Sequence, residues 1–187
     1  MCGRYLFLNG KHTKLDELAE LAESKMDPDA FSEISLGEVF PGTKSFAGIY
    51  DPKKDKHLTT VMKWGLELKG RLIINARSET CFSSPFFKDC HPCVLPATAY
   101  YEWSKTKQRY AFTVSDDVFY LCGLCRREKD GELHYVIVTE DAKDEAAAIH
   151  PRQPVIFGYE NAKAWCSSKA ATLVENNSVE SRYFEKA

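Results

Sequence analysis

No run of apolar residues in this chain of 187 approaches the length of a membrane span. The opening MCGRYLFLNGKHTKLDELAE also lacks the apolar stretch and small-residue cleavage site of a secretion signal. The expectation is a cytoplasmic protein with no membrane partner. An excess of positive charge is missing too. Lys and Arg number 25 against 27 Asp and Glu, a formal net charge of −2, which excludes nucleic-acid binding by bulk charge and leaves only a local cluster of arginines. Internal repeats, low-complexity tracts and an evident linker are absent, so a single domain over 1–187 is expected, long enough to bury a good core. The seven cysteines are an odd number, which argues against a disulfide framework in a reducing compartment.

What is present is a series of short β-type runs with few helices. RYLFL from Arg4, FAGIY from Phe46, HLTTVMKWG from His57 and RLIIN from Arg71 read as strands. So do CVLP from Cys93, RYAFTV from Arg109, VFYLCGLC from Val118 and LHYVIVT from Leu133. SDD from Ser115 and KDGE from Lys129 carry hairpin turn chemistry. In TKLDELAELAES, Leu15, Leu18, Ala19 and Ala22 share one helical face, and Thr13 with Asp16 resembles a capping box. DAKDEAAAIH and ENAKAWCSS predict two further short helices. The pattern predicts an α+β fold, mainly antiparallel, with a β-barrel-like core and a few short helices packed around it.

Several positions could carry chemistry, and each has a plain alternative. Two C-x-x-C pairs, Cys90 with Cys93 and Cys122 with Cys125, could ligate zinc. Strand alternation, however, sends Cys122 and Cys125 to opposite faces, and the gap between the pairs is long for such a site. Buried thiols acting as small apolar residues are the better reading, with no metal or cofactor expected. Asn75 and Arg77 end an apolar strand, where polar groups either line a site or merely cap the strand. Glu102 lies between Tyr101 and Trp103. Aromatic surroundings would raise its pKa toward the range useful for proton transfer, whereas alternation alone would leave it facing solvent. His150 closes an alanine-rich helix that Pro151 stops. It either complements the helix C-terminus or, beside Arg152, shuttles protons next to an anion.

Taken together, MCGRY, PGT at Pro41, WG at Trp64, INARSET, CVLPATAYYEW and IHPRQPVI resemble the SOS-response-associated peptidase family, in order and at compatible spacing from Cys2 to about Trp165. These are abasic-site-processing proteins that crosslink to damaged single-stranded DNA. The resemblance implies a single barrel-like domain and removal of Met1. Cys2 then becomes the N-terminal nucleophile toward the aldehyde of an abasic site. An α-amine with a pKa of about 7.8 is roughly a quarter neutral near pH 7.4, against about one part in a thousand for a lysine. It would form a Schiff base, and the neighbouring thiol would close a five-membered thiazolidine on the same carbon.

By the same resemblance Glu102 is the general acid/base, His150 assists proton transfer at the sugar oxygen, and Asn75 orients the Cys2 amine and the sugar. Arg4, Arg77 and Arg152 bind flanking phosphates, and Pro41 and Trp64 contact bases or shape the site. The expected partner is single-stranded DNA containing abasic sites, engaged by a monomer that is nucleoid-associated if bacterial. The expected function is a reversible crosslink that shields the lesion during the DNA damage response, with self-processing peptidase activity and a lyase activity alongside it. The alternatives are a thiol peptidase using Cys2, Glu102 and His150, and a zinc-stabilised DNA-binding module. The chain departs from the family pattern in a short stretch after Trp64, in Ala99, in Gln153 and in a tail after about 166 that matches poorly.

Overall fold

The computed structural model describes residues 2–8, 10, 14–114, 118–167 and 182–186. Met1, the Thr13 half of the expected capping box, the turn at 115–117 and most of the tail lie outside them. Along the chain run β1 (Tyr5–Leu6), α1 (Lys14–Glu23), α2 (Pro28–Ser32), β2 (Glu38–Val39), β3 (Lys44–Asp51) and β4 (Lys56–Trp64). Next come β5 (Leu66–Leu68), β6 (Arg71–Ile73), β7 (Asn75–Arg77), β8 (His91–Ala97), β9 (Ala99–Trp103) and β10 (Arg109–Val114). The chain continues through β11 (Phe119–Arg127), β12 (Leu133–Asp141), α3 (Asp144–Ile149), β13 (Arg152–Pro154), β14 (Ile156–Phe157), α4 (Tyr159–Cys166) and β15 (Arg182–Lys186).

Strands β12, β4, β3, β8 and β11 pair in that order, and β11 pairs back onto β12 to close a ring. Every pairing in the ring is antiparallel except β12 with β4. The barrel-like core read from the sequence is therefore present, with a parallel seam that no local pattern announces. A second, wholly antiparallel sheet runs β15–β10–β9–β1–β2. Its edge strand β15 comes from the tail that the sequence motifs match poorly. No helix among the described residues is long and apolar enough to cross a membrane.

Alternation in β8, β11 and β12 serves two cores at once. Cys93, Leu95, Leu121, Cys125, Tyr135 and Ile137 join Phe46, Met62 and Trp64 in one cluster that also takes in Cys2, Tyr5 and Phe7. The intervening Val94, Cys122, Leu124, Val136 and Val138 form a second cluster under Trp165 and Ala162 of α4. Both strand faces are thus apolar, which is why these segments read as continuous hydrophobic runs. Trp165 anchors α4 by donating its Nε1–H to Cys93 O at 3.0 Å and Gly123 O at 3.2 Å.

The short stretch after Trp64 is a two-residue hairpin. Lys69 and Gly70 both have positive φ (50° and 75°) between β5 and β6, the geometry whose twist suits paired strands. At Gly123 the constraint is space instead: an added Cβ would sit 2.8 Å from Leu95 Cδ2, 2.9 Å from Cys93 Sγ and 2.9 Å from Val136 O. Gly123→Ala should therefore destabilise the fold by about 1–3 kcal/mol, as overpacked cores do. Chemical denaturation checks this, and an unchanged midpoint would mean that the ring is looser than described.

Candidate active site

Cys2 precedes β1, which lies between β9 and β2 in the second sheet. Tyr5 pairs with Tyr100, and Tyr101 N–H donates to Arg4 O at 3.0 Å. This register brings the residues just before Tyr5 alongside Glu102. Cys2 is fully buried, and its thiol donates to Arg4 O at 3.8 Å. From the far side Asn75, first residue of β7, donates its Nδ2–H to Cys2 O at 2.9 Å. Asn75 Oδ1 is buried with no hydrogen-bond partner among the described residues, an acceptor available to whatever enters the site.

Glu102 is only 4% exposed, so the solvent-facing alternative for this residue is overturned. Strand β9 is covered on both faces, and alternation cannot reveal that. Burial raises the Glu102 carboxyl above the ordinary carboxylate value, with the charge of His150 pulling it back. Burial also pushes the Cys2 thiol well above the ordinary thiol value, and the Glu102 charge adds to the effect. Glu102 therefore feels both Cys2 and His150.

His150 caps the C-terminus of α3 with its backbone N–H on Ala146 O. Its Nδ1 faces two groups of Arg152, the backbone N–H at 3.0 Å and the carbonyl oxygen at 2.9 Å. In the neutral tautomer that carries its proton on Nε2, Nδ1 accepts from the Arg152 N–H. When the ring is charged, Nδ1–H can donate to the carbonyl. One loop thus offers a partner to both protonation states.

Four segments therefore bring Cys2, Asn75, Glu102 and His150 together. The arginines are less uniform. Arg77 stands exposed on β7. The side chain of Arg152 is 12% exposed and already engaged, forked onto Glu79 at 2.6 and 3.0 Å and bonded to Asp141 Oδ1 and Thr139 O, each at 2.6 Å. It reads as a clamp between β13, β12 and the segment after β7, and a phosphate would have to displace carboxylates to reach it. Arg4 pairs with Glu38 at 3.1 Å and lies 4.4 Å from the Phe40 ring and 5.0 Å from the Trp103 ring.

Pro41 and Gly42 (φ 86°) occupy the middle of a turn closed by Thr43 N–H on Phe40 O, and this turn leaves Phe40 39% exposed beside Arg4. Trp64 is fully buried and donates Nε1–H to Ile74 O at 2.9 Å. It cannot touch a base, which corrects one half of its expected role and leaves the other, shaping the site from within. Sequence reasoning missed Phe40, Trp103, Glu38 and Glu79 because their partners lie far away in the chain.

The C-x-x-C pairs do not form a ligand set. Cys122 lies in one core and Cys93 and Cys125 in the other, as alternation predicts. Asp130, Glu132 and His134 do bring ligand-type atoms within 4.8 Å of one another. There, Lys44 Nζ already pairs with Glu132 at 2.6 Å, and His134 lies between Gly65 O and Asp130. Gln153, a departure from the family motif, is fully buried and donates to Glu140 at 2.8 Å.

The raised Glu102 pKa fixes the sign of a stability effect. A carboxyl whose folded pKa lies above its unfolded value favours folding at low pH, and that contribution is lost as pH rises through the folded value. Glu102→Gln should match wild type below about pH 4.5, the ordinary carboxyl value, and melt at a higher temperature above it. Melting curves across pH check this, and a variant less stable at neutral pH would contradict the burial argument.

The comparisons agree with this architecture. The family model "SOS response associated peptidase (SRAP)" matches residues 1–186. "Abasic site processing protein YoqW" of Bacillus subtilis is 30% identical over 193 residues, covering 90% of this chain and 81% of that protein. YoaM, of the same name and organism, is 32% identical over 193 residues, covering 90% and 80%. The match to YobE, 31% identical, spans 58% of each chain. A crystal structure of a Bacteroides thetaiotaomicron protein superposes with a TM-score of 0.71 at 20% identity, covering 99% of this chain and 91% of the other. A phage-related protein from Bordetella bronchiseptica gives 0.71 at 21%, covering 100% and 94%. With a family model spanning nearly its whole length and 30%-identical relatives covering nine-tenths of it, this chain belongs to the SOS response associated peptidase family.

Proposed function

We propose that the protein processes abasic sites in DNA, and that it does so by forming a thiazolidine between Cys2 and the lesion once Met1 is removed. The names of its relatives support the first part. The observation that carries the second is the convergence on Cys2: Asn75 holds its carbonyl at 2.9 Å, and a buried Glu102 feels both Cys2 and His150.

The chemistry follows from the groups present. The free α-amine of Cys2 adds to C1′ of the open-chain sugar, and the carbinolamine loses its oxygen as water to give an imine. The thiol then adds across the C=N bond, forming the S–C1′ bond and returning a proton to nitrogen, for a net loss of one water. Glu102, whose carboxyl burial raises above the ordinary carboxylate value, is the acid that releases the hydroxyl. His150 exchanges a proton with the ring oxygen when the sugar opens or recloses, and the same steps in reverse release the adduct. Asn75 Oδ1, buried and unpartnered, is the acceptor that orients the amine or a sugar hydroxyl.

The substrate strand is single, since no duplex then has to be melted to expose the sugar. Arg77 supplies an exposed cation for phosphate, and the Arg4, Phe40 and Trp103 stack offers a flat surface for a flanking base. The crosslink shields the lesion during the DNA damage response, and the protein acts as a cytoplasmic monomer. An ordinary thiol peptidase would need a lowered thiol pKa. Burial drives the Cys2 thiol the other way, which favours chemistry led by the amine.

Substitution at Cys2 separates the two steps. Cys2→Ser, with Met1 removed, keeps the α-amine, so borohydride should trap an imine on an abasic oligonucleotide while no heat-stable adduct survives without reductant. Cys2→Ala should behave likewise. A stable, unreduced adduct from either variant would refute ring closure by the thiol.

A further inference from the structure

Three hydroxyls from three strands close a ring three residues along from Cys2. Tyr5 Oη on β1 lies 2.7 Å from Ser45 Oγ on β3 and 2.9 Å from Tyr135 Oη on β12, and Ser45 Oγ lies 3.0 Å from Tyr135 Oη. All three residues are fully buried. In such a ring each hydroxyl donates once and accepts once, so the three polar groups satisfy one another without water. Burial raises both phenols above the ordinary tyrosine value, so they remain neutral donors. A thiolate at Cys2 would raise Tyr5 further, a sign of how close the ring stands to the nucleophile.

Packing alone does not require these oxygens. Phenylalanine and alanine would fill nearly the same space with no polar group to satisfy. What the hydroxyls add is direction, because apolar contacts tolerate sliding and a hydrogen-bonded ring does not. The ring is also tied to the other half of the site. Trp64 stacks on Tyr135 (centroids 6.0 Å apart, 13° between planes) and meets Tyr5 at 5.5 Å. Its Nε1–H holds Ile74 O, and the next residue, Asn75, holds Cys2 O. The circuit runs from β1 through the barrel to β7 and back to Cys2.

We propose that the Tyr5–Ser45–Tyr135 hydroxyl ring, with Trp64, is a positioning device that sets Cys2 against Asn75 and Glu102. None of these residues touches the substrate. The proposal rests on Cys2 as the nucleophile, and its test has one arm that needs DNA and one that does not.

The variants are Tyr5→Phe and Ser45→Ala in the full chain with Met1 removed, the second creating almost no cavity should the first fold poorly. In single-turnover crosslinking to an abasic oligonucleotide, the rate at saturating DNA should fall about 10- to 100-fold, the loss that small misplacement of reacting groups brings. The DNA concentration at half-maximal rate should stay unchanged. Without DNA, alkylation of Cys2 by iodoacetamide, followed on the N-terminal peptide, should be faster in both variants than in wild type. A saturating rate equal to wild type, with only a lower melting temperature, would overturn the proposal and leave the ring a packing feature. If wild type itself forms no crosslink, the proposed function fails. The alkylation arm then decides the ring alone, and unchanged Cys2 reactivity overturns it.

Discussion

A chain terminus frays unless something ties it down, and a nucleophile on the second residue of a chain works only if that tie exists. The hydrogen bond from Asn75 to the Cys2 carbonyl is this constraint. It joins the start of the second sheet to a strand that pairs in parallel with β12 of the barrel. The rest of the architecture serves the same end: β1 is held on both edges, by β9 and by β2, so the residues before Tyr5 have a fixed exit. An acid arrives from β9 and an imidazole from the end of α3. Glu102 shares the second sheet with Cys2, whereas Asn75 and the loop carrying His150 come from the barrel side, so a shift between the two sheets would part Asn75 from Cys2 and His150 from Glu102.

The charge distribution repeats this logic of locking before binding. With a net charge of −2, the protein cannot hold DNA by bulk attraction. It also commits two of its three expected phosphate-binding arginines to its own carboxylates. Arg152 ties β13 to Glu79 and Asp141, which fixes the loop carrying His150. Arg4 shares Glu38 with Arg109 and is stacked with Phe40 and Trp103. This leaves Arg77 as the exposed one of the three and shifts the expected DNA contact from charge toward stacking.

Much of the fold was legible because the barrel strands carry apolar residues on both faces and stand out as runs. The helix from Lys14 and the stop at His150–Pro151 followed from spacing and proline chemistry. The parallel seam between β4 and β12 was not legible, nor were two-residue strands such as β2 and β14, since neither produces a periodic signal. In the site, Cys2, Glu102 and His150 were each ambiguous when read locally and became a set only through the family resemblance. For Glu102, alternation left a solvent-facing position as open as a buried one, because alternation assumes one covered face and β9 has two. Trp64 was open between contacting a base and shaping the site because nothing in WGLEL reveals that Tyr5 and Tyr135 enclose it. Arg152 looked free because Glu79 lies 73 residues away. In each of these places the deciding partner is remote in sequence.

The central claim is that the freed N-terminal cysteine captures the aldehyde of an abasic site. Intact mass tests it most directly, on protein mixed with a single-stranded oligonucleotide carrying one abasic site and with an undamaged strand as control. The account predicts a species at protein without Met1 plus oligonucleotide less one water, formed with the damaged strand alone. Retention of Met1 after expression, or its removal with no adduct on the damaged strand, would contradict it.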